Sequence, residues 1–280
     1  MKIIENRVFE DERALYESDG VKLFGCAFEG AADGESALKE SKNIITENCL
    51  FDLRYPFWHD ENVKIINCKM TEKCRAPLWY SKNITMVDTR LSGTKALREC
   101  TGVLLDGCNI ESSELCWDCS QMELTCCLIK GEYFMSRSRD LRLKNVSLEG
   151  KYSFQYIENA VIDNCVLNTK DAFWHAKNVT VKNCTVKGEY LGWYSENLTF
   201  ENCTITGTQP LCHCRGLKLI NCEMHSCDLA FEKSEVEAEI ITPVISIKNV
   251  LKGKITVPCV DKIIRDKEEY KGIVATKQDC

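Results

Sequence analysis

Asn178-Val179-Thr180-Val181-Lys182-Asn183-Cys184-Thr185-Val186 returns nineteen residues later as Asn197-Leu198-Thr199-Phe200-Glu201-Asn202-Cys203-Thr204-Ile205. Nineteen residues earlier it stands as Asn159-Ala160-Val161-Ile162-Asp163-Asn164-Cys165-Val166-Leu167. A fixed period of this length marks a solenoid, in which each repeat covers the apolar face of the next. Within the stretch apolar and polar residues alternate, the period of a strand with one buried face.

Counting from the residue that opens each repeat, the anchors are Gly20, Asn43, Asn62, Asn83, Gly102, Gln121, Asp140, Asn159, Asn178, Asn197, Gly216 and, with a weaker match, Glu235. From Asn83 onward every step is nineteen residues. The earlier steps of twenty-three, nineteen and twenty-one place small insertions near Ala31-Ala32-Asp33-Gly34 and Glu72-Lys73-Cys74-Arg75. Positions one and three past the anchor are apolar, as in Val63 and Ile65 or Val179 and Val181. Position five is a turn residue, among them Asn48, Asn67, Gly107, Asn164 and Asn221, types that tolerate a left-handed backbone. Asparagines stacked there can hydrogen-bond along the axis. Position eight is apolar again, so a second strand follows the turn. Five residues before each anchor lies another apolar residue, as in Phe57, Leu78, Leu97, Met135, Phe154 and Phe173, which predicts a third strand.

Three short strands per nineteen residues make one coil of a parallel β-helix, with coils stacked ~4.8 Å apart. The expected class is therefore all-β: a single-stranded parallel β-helix of about twelve coils. Its repeats span 14–235, with an N-terminal cap at 1–13, C-terminal strands or cap at 236–260 and a polar tail at 261–280. Ends of a solenoid need covering, because open strand edges pair with other chains.

The chain has 280 residues, 44% of them hydrophobic, and a formal charge of −6. No basic stripe is left to neutralise phosphates, which argues against nucleic acid as a partner. No apolar run of ~18 residues predicts a membrane span, and the N-terminus carries no secretory pattern. Nineteen cysteines would suit a secreted disulfide framework, yet nine of them share position six of the repeat: Cys26, Cys49, Cys68, Cys108, Cys127, Cys165, Cys184, Cys203 and Cys222. Thr89 and Val146 replace them in two coils, so the position reads as a small buried residue. Free thiols and no signal predict the cytoplasm.

The pattern Asn-hydrophobic-x-hydrophobic-x-Asn-Cys resembles the coils of pectin-lyase-like right-handed parallel β-helix proteins. The stretches Ala32-Asp33-Gly34-Glu35-Ser36-Ala37-Leu38-Lys39-Glu40 and Arg54-Tyr55-Pro56-Phe57-Trp58-His59-Asp60 are similar to an uncharacterised bacterial family within that superfamily. The resemblance covers about residues 14–250. It implies right-handed winding and carries no assigned catalytic residue. Known β-helix families include polysaccharide lyases, glycoside hydrolases, esterases and non-catalytic adhesins, so the fold alone decides no function.

Two columns ahead of the anchor carry the chemistry. Four residues before it stand Lys39, Trp58, Trp79, Arg98, Trp117, Gln155, Trp174 and Trp193, which include all five tryptophans of the chain. Alternation with Phe57 or Phe173 points them outward. They read as stacking platforms of a sugar-binding groove, as a surface covered by a cap or a second copy of the chain, or, if the strand parity is reversed, as core. Three before the anchor stand His59, Tyr80, Glu99, Asp118, Arg137, Tyr156, His175, Tyr194 and His213. Glu99, Asp118 and Arg137 are the candidate catalytic residues, since neighbouring carboxylates split their pKa values and so supply an acid and a base. The substrate-binding candidates are Trp58, His59, Trp79, Tyr80, Arg98, Trp117, Tyr156, Trp174, His175, Trp193 and Tyr194. The alternative for the trio is a charge-compensated row.

Metal and cofactor signals are weak. Cys116-Trp117-Asp118-Cys119 and Cys212-His213-Cys214 are ligand-rich, but zinc needs four converging ligands. No phosphate loop, nucleophile elbow or HExxH motif is present, and no cofactor is assigned. The leading expectation is a carbohydrate-binding or carbohydrate-active protein of glycoside hydrolase or polysaccharide lyase type, with an oligosaccharide or polysaccharide fragment as partner. The alternative is a non-catalytic structural or interaction scaffold, with the tryptophan column buried against a cap or against a second subunit of a homo-oligomer.

Overall fold

The computed structural model describes residues 1–29 and 35–277. The insertion expected near 31–34 and the last residues of the expected tail, 278–280, lie outside the described residues. The chain is an all-β parallel β-solenoid of about fourteen turns set about nineteen residues apart. It divides into two compact units, Met1–Asp140 and Leu141–Cys280.

In the first unit the repeated strand recurs as Asp19–Phe24, Lys42–Glu47, Glu61–Ile66, Lys82–Val87, Thr101–Asp106 and Ser120–Thr125. Each pairs in parallel with its neighbours, so that Ile44, Val63, Ile84, Val103 and Met122 fall in one register column. A second, shorter strand follows in each coil, as in Arg90–Ser92 and Asn109–Glu111. Like residues thereby stack on like inside the solenoid. Phe9, Phe28 and Phe51 form one ring stack, with centroids 4.8 and 5.0 Å apart.

The second unit repeats the plan with Glu158–Asp163, Lys177–Lys182, Glu196–Glu201, Leu217–His225, Glu235–Ile240, Lys252–Val257 and Ile273–Thr276. Ala160, Val179 and Leu198 are buried in register. Phe154 stacks on Phe173 at 4.8 Å.

The position-six thiols are buried, and each donates to the carbonyl two residues before it, as Cys108 does to Asp106 and Cys203 to Glu201. Several also reach a carbonyl twenty-two residues back, as in Cys127 to Leu105 and Cys222 to Phe200. A small donor at this corner satisfies a buried main-chain oxygen that a purely apolar residue would leave bare.

Parallel pairing runs on into the terminal stretches 1–13 and 236–260. Lys2–Glu5 pairs in parallel with the strand from Asp19, and Val8–Phe9 with that from Ala27. At the other end Val236 faces Gly253, seventeen residues on, and Val244 faces Val260, sixteen residues on. Shortening the coil by two or three residues erases the nineteen-residue period from the sequence while the stack continues.

The third strand is mostly a turn. It is a strand only at Phe57–Trp58 and Leu78–Trp79, with isolated bridges from Trp79 to Arg98 and from Arg98 to Trp117. The reason is local. The inward residue and the one two places on both take left-handed backbone, as at Leu97 (φ 56) and Glu99 (φ 51), and a strand cannot absorb two such residues. Inward and outward side chains still alternate, so the tryptophans do point out.

Candidate functional site

In the first unit the column four before the anchor forms a continuous pile. Trp58 and Trp79 stack with centroids 5.6 Å apart and planes 15° apart. Arg98 lies 4.8 Å from the ring centroids of both Trp79 and Trp117. Lys39 covers Trp58 at 5.6 Å and Arg137 covers Trp117 at 5.3 Å. A cation over an indole face is attracted by the ring quadrupole and also removes that face from solvent.

The edges are tied down as well. Trp58 Nε1 donates to the Ala76 carbonyl at 3.1 Å, Trp79 Nε1 to Lys95 at 2.6 Å, and Trp117 Nε1 to Tyr133. Arg98 follows the same rule, with Nη2 2.9 Å from the Glu114 carboxylate sixteen residues on; the Lys95 ammonium approaches that carboxylate at 3.5 Å. The second unit holds the equivalents. Trp174 and Trp193 stack at 5.6 Å, and their indole N–H groups donate to Tyr190 and Gln209. Gln155 stands in this column too, and its amide donates to the Asp171 carbonyl. All these main-chain acceptors sit on left-handed residues, with φ from 46 to 59.

Every tryptophan is therefore half-buried and hydrogen-bonded, and both faces of Trp58, Trp79 and Trp117 are occupied by their neighbours. The stacking-platform role expected of these indoles has no free ring face in the first unit. The acceptors escaped the sequence reading because only their main-chain oxygen is used, so Ala76, Lys95, Tyr133, Tyr190 and Gln209 share no residue type.

The adjacent column, three before the anchor, is the outer corner of the coil. In the first unit it presents Glu40, His59, Tyr80, Glu99, Asp118 and Arg137. The His59 and Tyr80 rings are stacked at 4.9 Å. In the second unit Tyr156, His175, Tyr194 and His213 form an alternating stack with spacings of 4.9, 5.1 and 4.7 Å. Tyr156 is 54% and Tyr194 43% exposed. Among the described residues none of these tyrosine hydroxyls or histidine nitrogens has a hydrogen-bond partner in the protein. Burial pushes the His213 pKa below its ordinary value, with Lys233 and Arg215 acting the same way and Glu232 opposing them.

The catalytic trio is only partly brought together. Arg137 holds Asp118 in a two-pronged ion pair, Nε and Nη2 each 2.7 Å from a carboxylate oxygen. That hydrogen bond raises the Arg137 pKa. Glu99 is exposed on the preceding coil and, among the described residues, joins no ion pair. Both oxygens of the Asp118 carboxylate are thus taken up by Arg137 rather than turned toward a substrate.

No group of three metal-ligating side chains gathers among the described residues. Cys116 lies in the core, Cys119 donates to Leu97, and Cys214 to Gly192. Three shallow grooves lie elsewhere. In the first unit one of about 430 Å³ runs over Lys64, Thr85, Leu104 and Glu123, and one of about 550 Å³ over Glu72, Glu111, Lys130 and Glu132. In the second unit one of about 250 Å³ crosses Lys218, Glu237 and Lys254. None of the three is lined by the corner column.

The family model described as "Protein of unknown function (DUF3737)" matches residues 2–276, so the chain belongs to that family. No curated protein matches the chain. Among solved structures it is similar to a tailspike protein mutant of E. coli bacteriophage HK620 in complex with a hexasaccharide. That match has 9% identity and a TM-score of 0.37, covering 92% of this chain and 68% of the other. It is also similar to a periplasmic alginate epimerase (7% identity, TM-score 0.30, 92% and 77% covered). A third similar structure is the A-module of an Azotobacter vinelandii mannuronan C-5 epimerase (8% identity, TM-score 0.28, 99% and 88% covered).

Proposed function

We propose that the protein binds glycans along its outer corner column, and that it holds rather than cleaves them. One observation carries this reading. Left-handed backbone recurs at the anchor, at position five and at the corner, as it does at the inward residue and at the carbonyl acceptors of the indoles. At the anchor and at position five it is filled almost throughout by Asn, Gly or Asp, as at Asn62, Asn83, Asn178, Asn197, Asp88, Asn183 and Asn202. At the corner the same backbone is imposed on His59 (φ 57), Tyr80 (φ 57), Arg137 (φ 56), Tyr156 (φ 59), His175 (φ 54) and Tyr194 (φ 61). A side chain of that kind in left-handed conformation costs ~1–2 kcal/mol that Asn or Gly would largely avoid. Ring stacking along the column offsets part of that cost, and it leaves the exposed hydroxyls and imidazole nitrogens uncommitted.

What they offer is a row of ring edges tipped with hydroxyls and imidazole nitrogens, repeated once per coil. Sugar hydroxyls both donate and accept, as do tyrosine hydroxyls and neutral imidazoles. A polymer of regularly spaced hydroxyls laid along the row would meet a matching partner at each coil. Asp118 and Arg137, already paired, add a polar contact and no free acid. The alternative of a purely structural scaffold draws on the sealed tryptophan column, which needs no ligand to explain it.

Titration of purified protein against an oligosaccharide panel tests the reading, using wild type and the double variant Tyr156→Asn/Tyr194→Asn. The reading expects at least one glycan to bind, with affinity reduced tenfold or more in the variant. Equal binding by both proteins, or none by wild type, would overturn it.

A further inference from the structure

The residue two before the anchor points inward and in most coils is a hydroxyl or thiol that serves as a hydrogen-bond relay, although Ile157 and Ala176 fill the slot without a donor and Ser81 donates within its own coil to Trp79. Its hydroxyl or thiol donates to a carbonyl about one coil back: Ser41 to Leu15, Cys100 to Leu78, Cys119 to Leu97 and Ser138 to Cys116 in the first unit. Ser195 to Phe173 and Cys214 to Gly192 do so in the second, and Ser234, one residue before Glu235, does the same to Leu211. Several of the same side chains also accept a main-chain N–H from the coil before, as Ser41 does from Ser18 and Ser138 from Cys119.

Asp60 occupies this slot between Ser41 and Ser81. It keeps the accepting half of the relay: Oδ1 takes the Ser41 N–H at 2.8 Å, and the Asp60 N–H goes to Ser81 Oγ at 3.1 Å. It is 1% exposed, and Oδ2 is buried with no hydrogen-bond partner among the described residues. As a carboxylate it cannot donate as Ser41, Cys100, Cys119, Ser138, Ser195, Cys214 and Ser234 do, because it has no proton to give. By the register of the column, the carbonyl that such a donor would serve is that of Leu38.

We propose that Asp60 is a protonated carboxylic acid in the folded chain at neutral pH, its Oδ2–H completing the relay, and that losing this proton loosens the coil that carries Trp58 and His59. The fold thus contains a proton-linked switch directly beneath the outer corner. Burial is the main force holding the proton, with Glu40 adding to it and the Ser41 N–H bond working against it; together they push the carboxyl up to about 8. The other charged groups alongside, the exposed Lys42 and Lys82 and the half-buried Glu61, register with one another on the outward face, with Lys42 and Glu61 3.8 Å apart.

The sign follows from proton counting. An unfolded aspartate titrates near ~3.9. Between that value and about 8 the folded chain holds one proton more than the unfolded chain. Its stability is therefore greatest at the acid end of this window and falls as pH rises, by up to about tenfold in the folding equilibrium per pH unit.

The test is denaturant unfolding of the full chain from pH 5 to pH 8, followed by tryptophan fluorescence, for wild type, Asp60→Asn and Asp60→Ser. Asparagine keeps the shape and supplies a donor that does not titrate. Serine is the residue the column uses on either side. Both variants should lose about one proton's worth of the wild-type slope, and the infrared band of a protonated carboxyl at neutral pH should vanish in Asp60→Asn. A wild-type slope retained in both variants, or no protonated-carboxyl band at pH 7, would overturn the proposal.

Discussion

Trp79 and Tyr80 are neighbours in the chain and lie in neighbouring columns, as do Trp193 and Tyr194, yet the two columns solve opposite problems. The tryptophan column is closed. Its N–H groups serve main-chain carbonyls, and in the first unit its ring faces are filled by Lys39, Arg98 and Arg137. The corner column is open. Its rings stack on each other, but their edges and polar tips meet solvent. Aromatic residues on the surface of a repeat are thus no single signal. An indole whose N–H is already spent belongs to the framework, and a phenol or imidazole with uncommitted polar atoms on a costly backbone belongs to recognition.

That contrast can be broken most forcefully at Trp79. Replacing it by alanine removes a ring sandwiched between Trp58 and Arg98 and strips the Lys95 carbonyl of its donor. Stability should fall by about 3 kcal/mol, read from denaturant midpoints. If Trp79→Ala is as stable as wild type, the column is not framework.

Trp193→Phe keeps a ring in the stack but loses the N–H to Gln209. It should cost about 1 kcal/mol, the worth of one hydrogen bond. No measurable cost would mean the indole bonds are incidental.

Tyr194→Asn sharpens the other side. Asparagine relaxes the left-handed backbone while the ring contacts with His175, His213 and Trp193 are lost, so unfolding should shift by less than ~1 kcal/mol in either direction. A loss near that of Trp79→Ala would make the corner structural too.

The smallest effect is expected at Arg137→Ala. Its ion pair with Asp118 is half-exposed, so stability should drop by roughly 0.5 kcal/mol and by less in high salt. A large, salt-independent loss would show that this pair anchors its coil.

Much of the fold was legible because a solenoid repeats its evidence. Val63 and Ile65, Val103 and Leu105, and Val179 and Val181 state the same inward face coil after coil, and each repetition makes the period less ambiguous. The ends show no period in the sequence because Val236 to Gly253 is a shorter step than the rest, although that stretch still pairs in register. The third strand was misread because left-handed backbone at Leu97 and Glu99 leaves no trace in alternation. The site was legible as two columns of outward side chains, but not as one closed and one open. Hydrogen bonds to main-chain oxygens decided that difference, and a carbonyl has no letter in the sequence. Asp60 was passed over for a related reason: a lone acid between serines looks polar and exposed until the column is seen to face inward.

The most direct measurement is hydrogen exchange at the five tryptophan indole N–H groups, followed by NMR with and without a glycan ligand. The account predicts five slowly exchanging indoles whose rates do not change when a glycan perturbs Tyr156 and Tyr194. Fast-exchanging indoles that become protected only when the glycan binds would place the ligand on the tryptophans and contradict it.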